Sequence, residues 1–400
     1  MKRRILIVTL IVSLLLSSVA FSESDTNKEV LYKIFTINYN EMSSLFDQSF
    51  LNQVPAEKII ELVEAYKANF GMLNDIEWKD NKYILVFEKG RFSSQIKLND
   101  KNRIVALYFR PPTLEDDSAE KVLSEIKALD GLASVCIMKN NKDVLLSYNE
   151  DKPMAVGSAF KLYVLKAVYD EIEAKDASWE DVIALNKENI SLPTGFLQEW
   201  TVGTPVTLKT LTNLMISVSD NTATDHLIEY IGRENIEKNV SDINKPFLKT
   251  TEVFKIKWLL EKDLQQKYIN GSESYKEEIL NLVKDKDLTL DNILTSPTLV
   301  NDVEWFFTTK ELCNTIYDLK DTSEITINPG LANKQDWSLV GYKGGSEPGV
   351  LQYTHLLQKE ENSDIYTVSI TVNNTKNDVD ANKITDLTIR LISLIKDGKV

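Results

Sequence analysis

Ser158 and Lys161 stand three residues apart in "VGSAFKLYVLKAVYD" (156–170), a stretch that is otherwise almost wholly apolar. Phe160, Leu162, Val164, Leu165, Ala167, Val168 and Tyr169 leave little polar surface, so the helix they predict belongs in a protein interior. Residues three apart on a helix share a face, which sets the lysine beside the serine. Burial strips water from an ammonium and favours the neutral amine, which can then accept a proton. A serine hydroxyl is a weak nucleophile until a neighbouring base takes its proton. The pair therefore reads as a nucleophile and its base for acyl transfer. Its place at a helix start adds a backbone N–H aimed at an incoming oxyanion.

Spacing alone carries none of this, because S-x-x-K occurs five times, beginning at Ser94, Ser118, Ser124, Ser158 and Ser393. Apolar surroundings single out the fourth. Two further elements join it. Ser219-Asp220-Asn221 is the one S-D-N in the chain, 61 residues after Ser158, and it also suits a helix N-cap. Lys343-Gly344-Gly345 opens out of the strand-like "SLVGY", where glycines mark a turn or a close backbone approach to a ligand. A Ser–His–Asp arrangement would have to use His226 or His355, the only histidines. His226 lies among apolar neighbours in an expected helix and reads as structural.

The elements that must position these groups fall into two parts, as 400 residues suggest. Residues 1–22 combine a basic start, an apolar run and small residues at Ala20 and Ser22, the pattern of a cleaved secretory leader. Residues 25–112 read as two helices followed by four strands, "IEWKD", "KYILVFEKG", "RFSSQIKLN" and "RIVALYFRP", a small α+β domain without a catalytic cluster. The acidic, proline-bearing "RPPTLEDDSAE" marks the boundary near residue 115. From 118 to 400 the order is a helix, the hairpin "LASVCIMKNNKDVLLSYN", the apolar helix, a helical middle, three strands and a final amphipathic helix. Strands at both ends and helices between them predict one antiparallel sheet with an all-helical lobe beside it.

Composition narrows the function. The formal charge is −14, and the leader holds three basic residues and no acidic ones, so the mature chain is more acidic still. Such a surface repels phosphate backbones, and no basic stripe offsets it, so nucleic acid is not an expected partner. No metal-ligand spacing is present, and neither a metal nor a cofactor is expected. Cys136 and Cys313 are the only cysteines; pairing is open in an oxidising compartment, although Cys136 sits in a strand where a buried thiol is common.

In sequence order, S-x-x-K, S-D-N and K-[T/G]-G resemble the three motifs of the penicillin-recognising serine hydrolases, the β-lactamases and penicillin-binding proteins. The resemblance runs over residues 118–400, and the first gap suits the class A β-lactamase branch. The second gap is long and implies an insertion, with "LEKDLQQKYINGSESYKEEI" as its candidate. "KPFLKTTEVFKIK", "VEWFFTTKEL" and "KGGSEPGVLQYTHLL" are similar to a class A-like subgroup whose best-known member comes from a clavulanic-acid biosynthesis cluster. That subgroup carries a steroid-isomerase-like domain ahead of the hydrolase. The resemblance implies an α+β fold with a five-stranded antiparallel sheet and an all-α lobe. It makes Ser158 the nucleophile, Lys161 its base, Ser219 a proton relay and Lys343 the charge beneath a substrate carboxylate. Asn221, Gly344, Gly345 and Ser346 would bind substrate, with the N–H groups of Ser158 and Ser346 as the oxyanion hole. It further implies an exported enzyme, periplasmic or extracellular, acting on a β-lactam or a related amide or ester, with no lasting membrane span. Two departures stand out. No E-x-x-L-N follows S-D-N, so the usual deacylating glutamate is missing, and the nearest acidic candidates, Glu234, Glu237 and Asp242 in "ENIEKNVSDIN", lack the pattern. Gly344 replaces the usual threonine of the third motif. Slow β-lactam turnover, a cell-wall carboxypeptidase or esterase, and a non-catalytic β-lactam-binding sensor follow as readings of this pattern.

Overall fold

In the computed structural model, residues 24–79, 82–109, 113–114 and 117–400 are described; the expected leader, 1–22, lies outside them. Contacts divide the chain into two units. One runs to Val122 and includes Asn382–Leu394; the other is Leu123–Ala381 with Ile395–Val400. The sequence-based division, with a second domain from 118 to 400, does not foresee this return of the last helix.

In the first unit, α1 (Asp25–Thr36) and α2 (Ala56–Phe70) precede an antiparallel meander. Its strands are β1 (Leu73–Lys79), β2 (Lys82–Phe87), β3 (Gly90–Leu98) and β4 (Ile104–Phe109), and the short β5 (Thr113–Leu114) joins β3. Pro55 precedes α2 and Gly71, at φ 80°, ends it. Val30, Leu31, Ile34 and Phe35 form the buried stripe of α1. They meet alternate strand residues, and the rings of Phe35, Tyr66, Phe87, Phe92 and Phe109 close the centre, with Tyr66 stacked on Phe92 at 4.5 Å. An aromatic core fills this unit.

The second unit is built on a five-stranded antiparallel sheet. The hairpin β6 (Leu132–Lys139) and β7 (Asp143–Tyr148) comes first in the chain, and β8 (Leu339–Glu347), β9 (Val350–Gln358) and β10 (Ile365–Asn373) come last. Their spatial order is β8-β9-β10-β6-β7, so the two ends of the segment pair through β10 and β6. This is the sheet expected from strands at both ends. Asn140 and Asn141 turn the hairpin at positive φ, a conformation that asparagine tolerates.

Between the two sets lie the helices that carry the site. They are α3 (Lys161–Ala174), α4 (Leu208–Ser217), α5 (Asn221–Ile231), α6 (Thr250–Leu259), α7 (Lys262–Asn270), α8 (Glu273–Lys284) and α9 (Thr309–Asp318). The expected insertion folds as the pair α7 and α8. Helix α3 runs through the core, with Leu162, Val164, Leu165 and Val168 fully buried. Each such side chain stabilises the fold by about 1.5–3 kcal/mol. Helix α9 lies across β6, β9 and β10, where Cys136 and Cys313 are free, buried thiols; Cys313 Sγ donates to the Cys136 carbonyl at 3.5 Å. The chain ends in the helix α10 (Ala381–Lys396). Among the described residues no helix is long and apolar enough to cross a membrane, and no group of side chains is placed to hold a metal.

Candidate active site

Ser158 does not sit on the α-helix that the sequence leads one to expect. Gly157–Phe160 form a tight 3-10 turn, and α-helical geometry starts at Lys161. Gly157 adopts φ 48°, a left-handed conformation open to glycine. Residues three apart eclipse in a 3-10 turn, so Ser158 and Lys161 still share a side. The Phe160 ring anchors the turn by stacking on Trp305 at 3.8 Å and meeting Phe247 edge-on at 5.8 Å. Ser158 itself stays partly exposed, at the wall of a cavity of about 360 Å³.

Lys161 is fully buried. Its Nζ donates to the Ser219 carbonyl at 2.7 Å and to Asn221 Oδ1 at 2.7 Å, and lies 3.1 Å from Ser219 Oγ. Two N–H groups meet oxygens that only accept. A neutral amine satisfies both and keeps one lone pair free. Burial first, and the Lys343 charge second, hold this amine well below the ordinary lysine range; Asp220 and Asp225 oppose them. Lys343, on β8, comes from the other side: its Nζ donates to Ser219 Oγ at 3.1 Å and to the Gly344 carbonyl at 2.6 Å. Burial holds Lys343 down to about 7. Ser219 Oγ thus bridges two buried amines.

The S-D-N turn is held from behind. Ser219 lies at φ 60°, a left-handed conformation that costs a non-glycine residue of order 1–3 kcal/mol. Asp220 caps α5 by accepting from Ala223 N at 2.8 Å, and its other oxygen accepts from Phe196 N and Leu197 N. Asn221 donates to the Leu192 carbonyl at 3.0 Å while accepting from Lys161, leaving one amide N–H toward the cavity. One turn on, Asp225 accepts from Thr250 N, Thr250 Oγ1 and Thr251 N, so that a single carboxylate starts α6. The N-cap role and the positioning role of S-D-N coexist.

The third motif works through what it lacks. β8 is the edge strand of the sheet, and alternate backbone groups on its free side have no strand partner. The Gly157–Phe160 turn packs against that strand. A Cβ on Gly345 would lie 2.1 Å from the Val156 carbonyl and 2.5 Å from Ser158 N; one on Gly157 would lie 3.2 Å from Ser346 N. Glycine at both positions lets the Ser158 turn and the Ser346 end of β8 approach this closely. Gly345→Ala is expected to slow acylation of Ser158 by p-nitrophenyl acetate by about 100-fold or more, the cost of a misplaced oxyanion donor, read as the rate of the p-nitrophenol burst. At Gly344 a Cβ would lie 2.3 Å from Tyr342 Oη and 2.8 Å from the Gln352 carbonyl. Tyr342 occupies the space that a threonine would need, which accounts for the departure from K-T-G.

The cavity has two characters. Ser158, Asn221 and Ser346 line its polar side, with Lys161 and Lys343 behind them. Phe254, Trp258, Ile293, Leu294 and Trp305 line the other. Nothing in the motifs pointed to this apolar wall, since its residues come from α6 and from the segment after α8. The three acids that the sequence offers in place of the E-x-x-L-N glutamate do not reach it. Glu237 accepts from Phe247 N at 2.7 Å, Asp242 pairs with Lys245 at 2.8 Å, and Glu234 lines a separate charged cleft. Both histidines are structural. His226 Nε2 accepts from Asn186 N while its Nδ1 faces the Thr222 carbonyl, and His355 accepts from Leu331 N, with burial holding it down to about 3.

Comparison with known proteins gives the following. The sequence model of a family described as "Beta-lactamase enzyme family" matches residues 117–393. Beta-lactamase VEB-1 of Pseudomonas aeruginosa is 28% identical over 119 residues, 29% of this chain; the chain spans about 40% of the length of that curated relative. The crystal structure of a beta-lactamase from Francisella tularensis superposes with a TM-score of 0.50 at 16% identity, over 70% of this chain and 99% of that one, a likeness of fold. A beta-lactamase from Sphaerobacter thermophilus DSM 20745 gives 0.49 at 18% identity, over 70% and 97%.

Proposed function

The chain belongs to the beta-lactamase enzyme family, and on that footing we propose that it is an exported serine hydrolase, acting through an acyl-enzyme on Ser158. The observation that carries the reading is the meeting of two buried amines on one hydroxyl, Lys161 and Lys343 on Ser219 Oγ, behind the wall of the cavity that exposes Ser158. Lys161, neutral, takes the Ser158 proton as Oγ attacks the substrate carbonyl. The N–H groups of Ser158 and Ser346 hold the resulting oxyanion. The proton passes from Lys161 through Ser219 Oγ to the leaving nitrogen or oxygen as the carbonyl bond breaks. Among the described residues no carboxylate pairs with Lys343, and a substrate carboxylate supplies that partner. Asn221 offers its remaining N–H to an amide of the substrate, and Gly344 and Gly345 let substrate and backbone meet closely.

The substrate is then a carboxylate-bearing amide or ester with an apolar acyl group for the Trp258–Leu294 wall, and a β-lactam meets that description. The test is hydrolysis of a penicillin and a cephalosporin, separated from product by chromatography, beside Ser158→Ala. Opening of either drug by the wild type alone is expected, and intact drugs after prolonged incubation overturn the β-lactam reading. One observation favours a second reading: no acid from residues 232–249 reaches the cavity, so a carboxypeptidase or esterase with the same acyl-enzyme chemistry is the alternative. Release of D-alanine from an acyl-D-Ala-D-Ala peptide, without drug opening, would select it.

A further inference from the structure

A buried charge cluster outside the three motifs adjoins this cavity. Lys257 Nζ, on α6, donates to Glu304 Oε1 at 2.5 Å and to Glu347 Oε1. All three groups are withdrawn from solvent, but Glu347 alone of them lines the Ser158 cavity, and its side chain keeps 11% exposure. Strand alternation puts Lys343, Gly345 and Glu347 on one face of β8. That face is the one against Ser158, because a Cβ on Gly345 would point at Ser158 N. Glu347 therefore stands next to the oxyanion site on the nucleophile's side, with its Cα roughly 7 Å along the strand from that of Gly345, a span that a glutamate side chain and one water bridge.

We propose that Glu347 is the general base of deacylation, holding the water that hydrolyses the Ser158 ester, and that Lys257 and Glu304 position it. This rests on the acyl-enzyme reading above. Glu347 takes a proton from water as the water oxygen bonds to the acyl carbon, and the N–H groups of Ser158 and Ser346 hold the oxyanion. The intermediate collapses by breaking the bond to Ser158 Oγ, which keeps the electron pair and receives the proton back from Glu347. The acid product leaves with serine and carboxylate restored. Burial and the neighbouring Glu304 push the Glu347 carboxyl up, and the Lys257 ammonium opposes them, favouring the carboxylate that accepts the water proton. Asp378 shares the cavity, but it is exposed and accepts from Gly349 N at 3.1 Å.

The test compares Glu347→Gln, Glu347→Asp, Glu304→Gln and Asp378→Asn in stopped-flow turnover of p-nitrophenyl acetate and in mass spectra after mixing with benzylpenicillin. The p-nitrophenol burst counts competent Ser158, so turnover is read per folded site. Expected for Glu347→Gln is a full burst, a steady rate at least ~100-fold lower and an adduct that persists; Glu347→Asp lies between it and wild type. Asp378→Asn keeps the wild-type steady rate, and Glu304→Gln, which disturbs the positioning of Glu347 and leaves its carboxylate in place, lies between wild type and Glu347→Gln. Equal steady rates in wild type and both Glu347 variants overturn the proposal, as does trapping by Asp378→Asn in place of Glu347→Gln. Equal loss of burst in Glu347→Gln and Glu304→Gln makes the cluster structural and overturns it too. A wild type without burst or adduct instead sinks the acyl-enzyme reading itself.

Discussion

Lys161→Met is expected to slow acylation of Ser158 by roughly 10²–10⁴-fold, the contribution of a positioned general base, while the protein stays folded. The methionine has a similar length and no charge, so it enters the core beside Leu162 and Leu165 without a desolvated amine. Its cost is local: the Ser219 carbonyl and Asn221 Oδ1 each lose a donor, about 1–3 kcal/mol for each group left unsatisfied. A burst rate lowered by that factor at a temperature well below the variant's own Tm, where the protein is folded, separates a base from a structural lysine. An unchanged burst rate there would make Lys161 a strut for the S-D-N turn.

The second large effect is a pH dependence that belongs to Lys343. Its amine titrates at about 7 in the folded protein, against about 10.4 for an exposed lysine. Below 7 it is an ammonium facing the place of a substrate carboxylate, and above 7 it is neutral. Binding of a carboxylate-bearing inhibitor is therefore expected to weaken as pH rises through 7. At pH 8 binding takes up a proton, because the carboxylate draws the amine back to its charged form; at pH 6 it takes up none. Calorimetry in two buffers of different ionisation enthalpy measures this uptake. Lys343→Met abolishes it and weakens binding by about 10–100-fold, the value of a hydrogen bond to a charged group. Linkage gives the stability trend. Between about 7 and the ordinary lysine range the unfolded chain binds the proton and the folded one does not, so this group makes folding more favourable as pH rises across that window. Lys161, also held below its ordinary range, adds to the same slope.

Much of this arrangement was legible in the sequence because it rests on short-range rules. Strand runs bounded by turns gave the meander and the sheet, and the largely apolar stretch around Lys161 gave the buried amine. Three elements were not legible. The 3-10 turn before Lys161 follows from how closely Gly157 and Gly345 approach across β8, a tertiary demand without a local signature. Tyr342 filling the place of a threonine side chain depends on β8–β9 packing and not on the motif itself. The Lys257–Glu304–Glu347 cluster joins residues 47 and 90 positions apart, which no periodicity connects. Glu347 did carry one signal, its place directly after Ser346 at the end of the third motif.

The acylated serine is the central claim, and the intact mass of the protein, followed in time after mixing with benzylpenicillin, tests it most directly. An increment equal to the mass of the drug on the wild type, absent from Ser158→Ala, is the expected result. An unchanged mass throughout, with the drug opened all the same, would contradict it, because hydrolysis would then proceed without a covalent bond to Ser158.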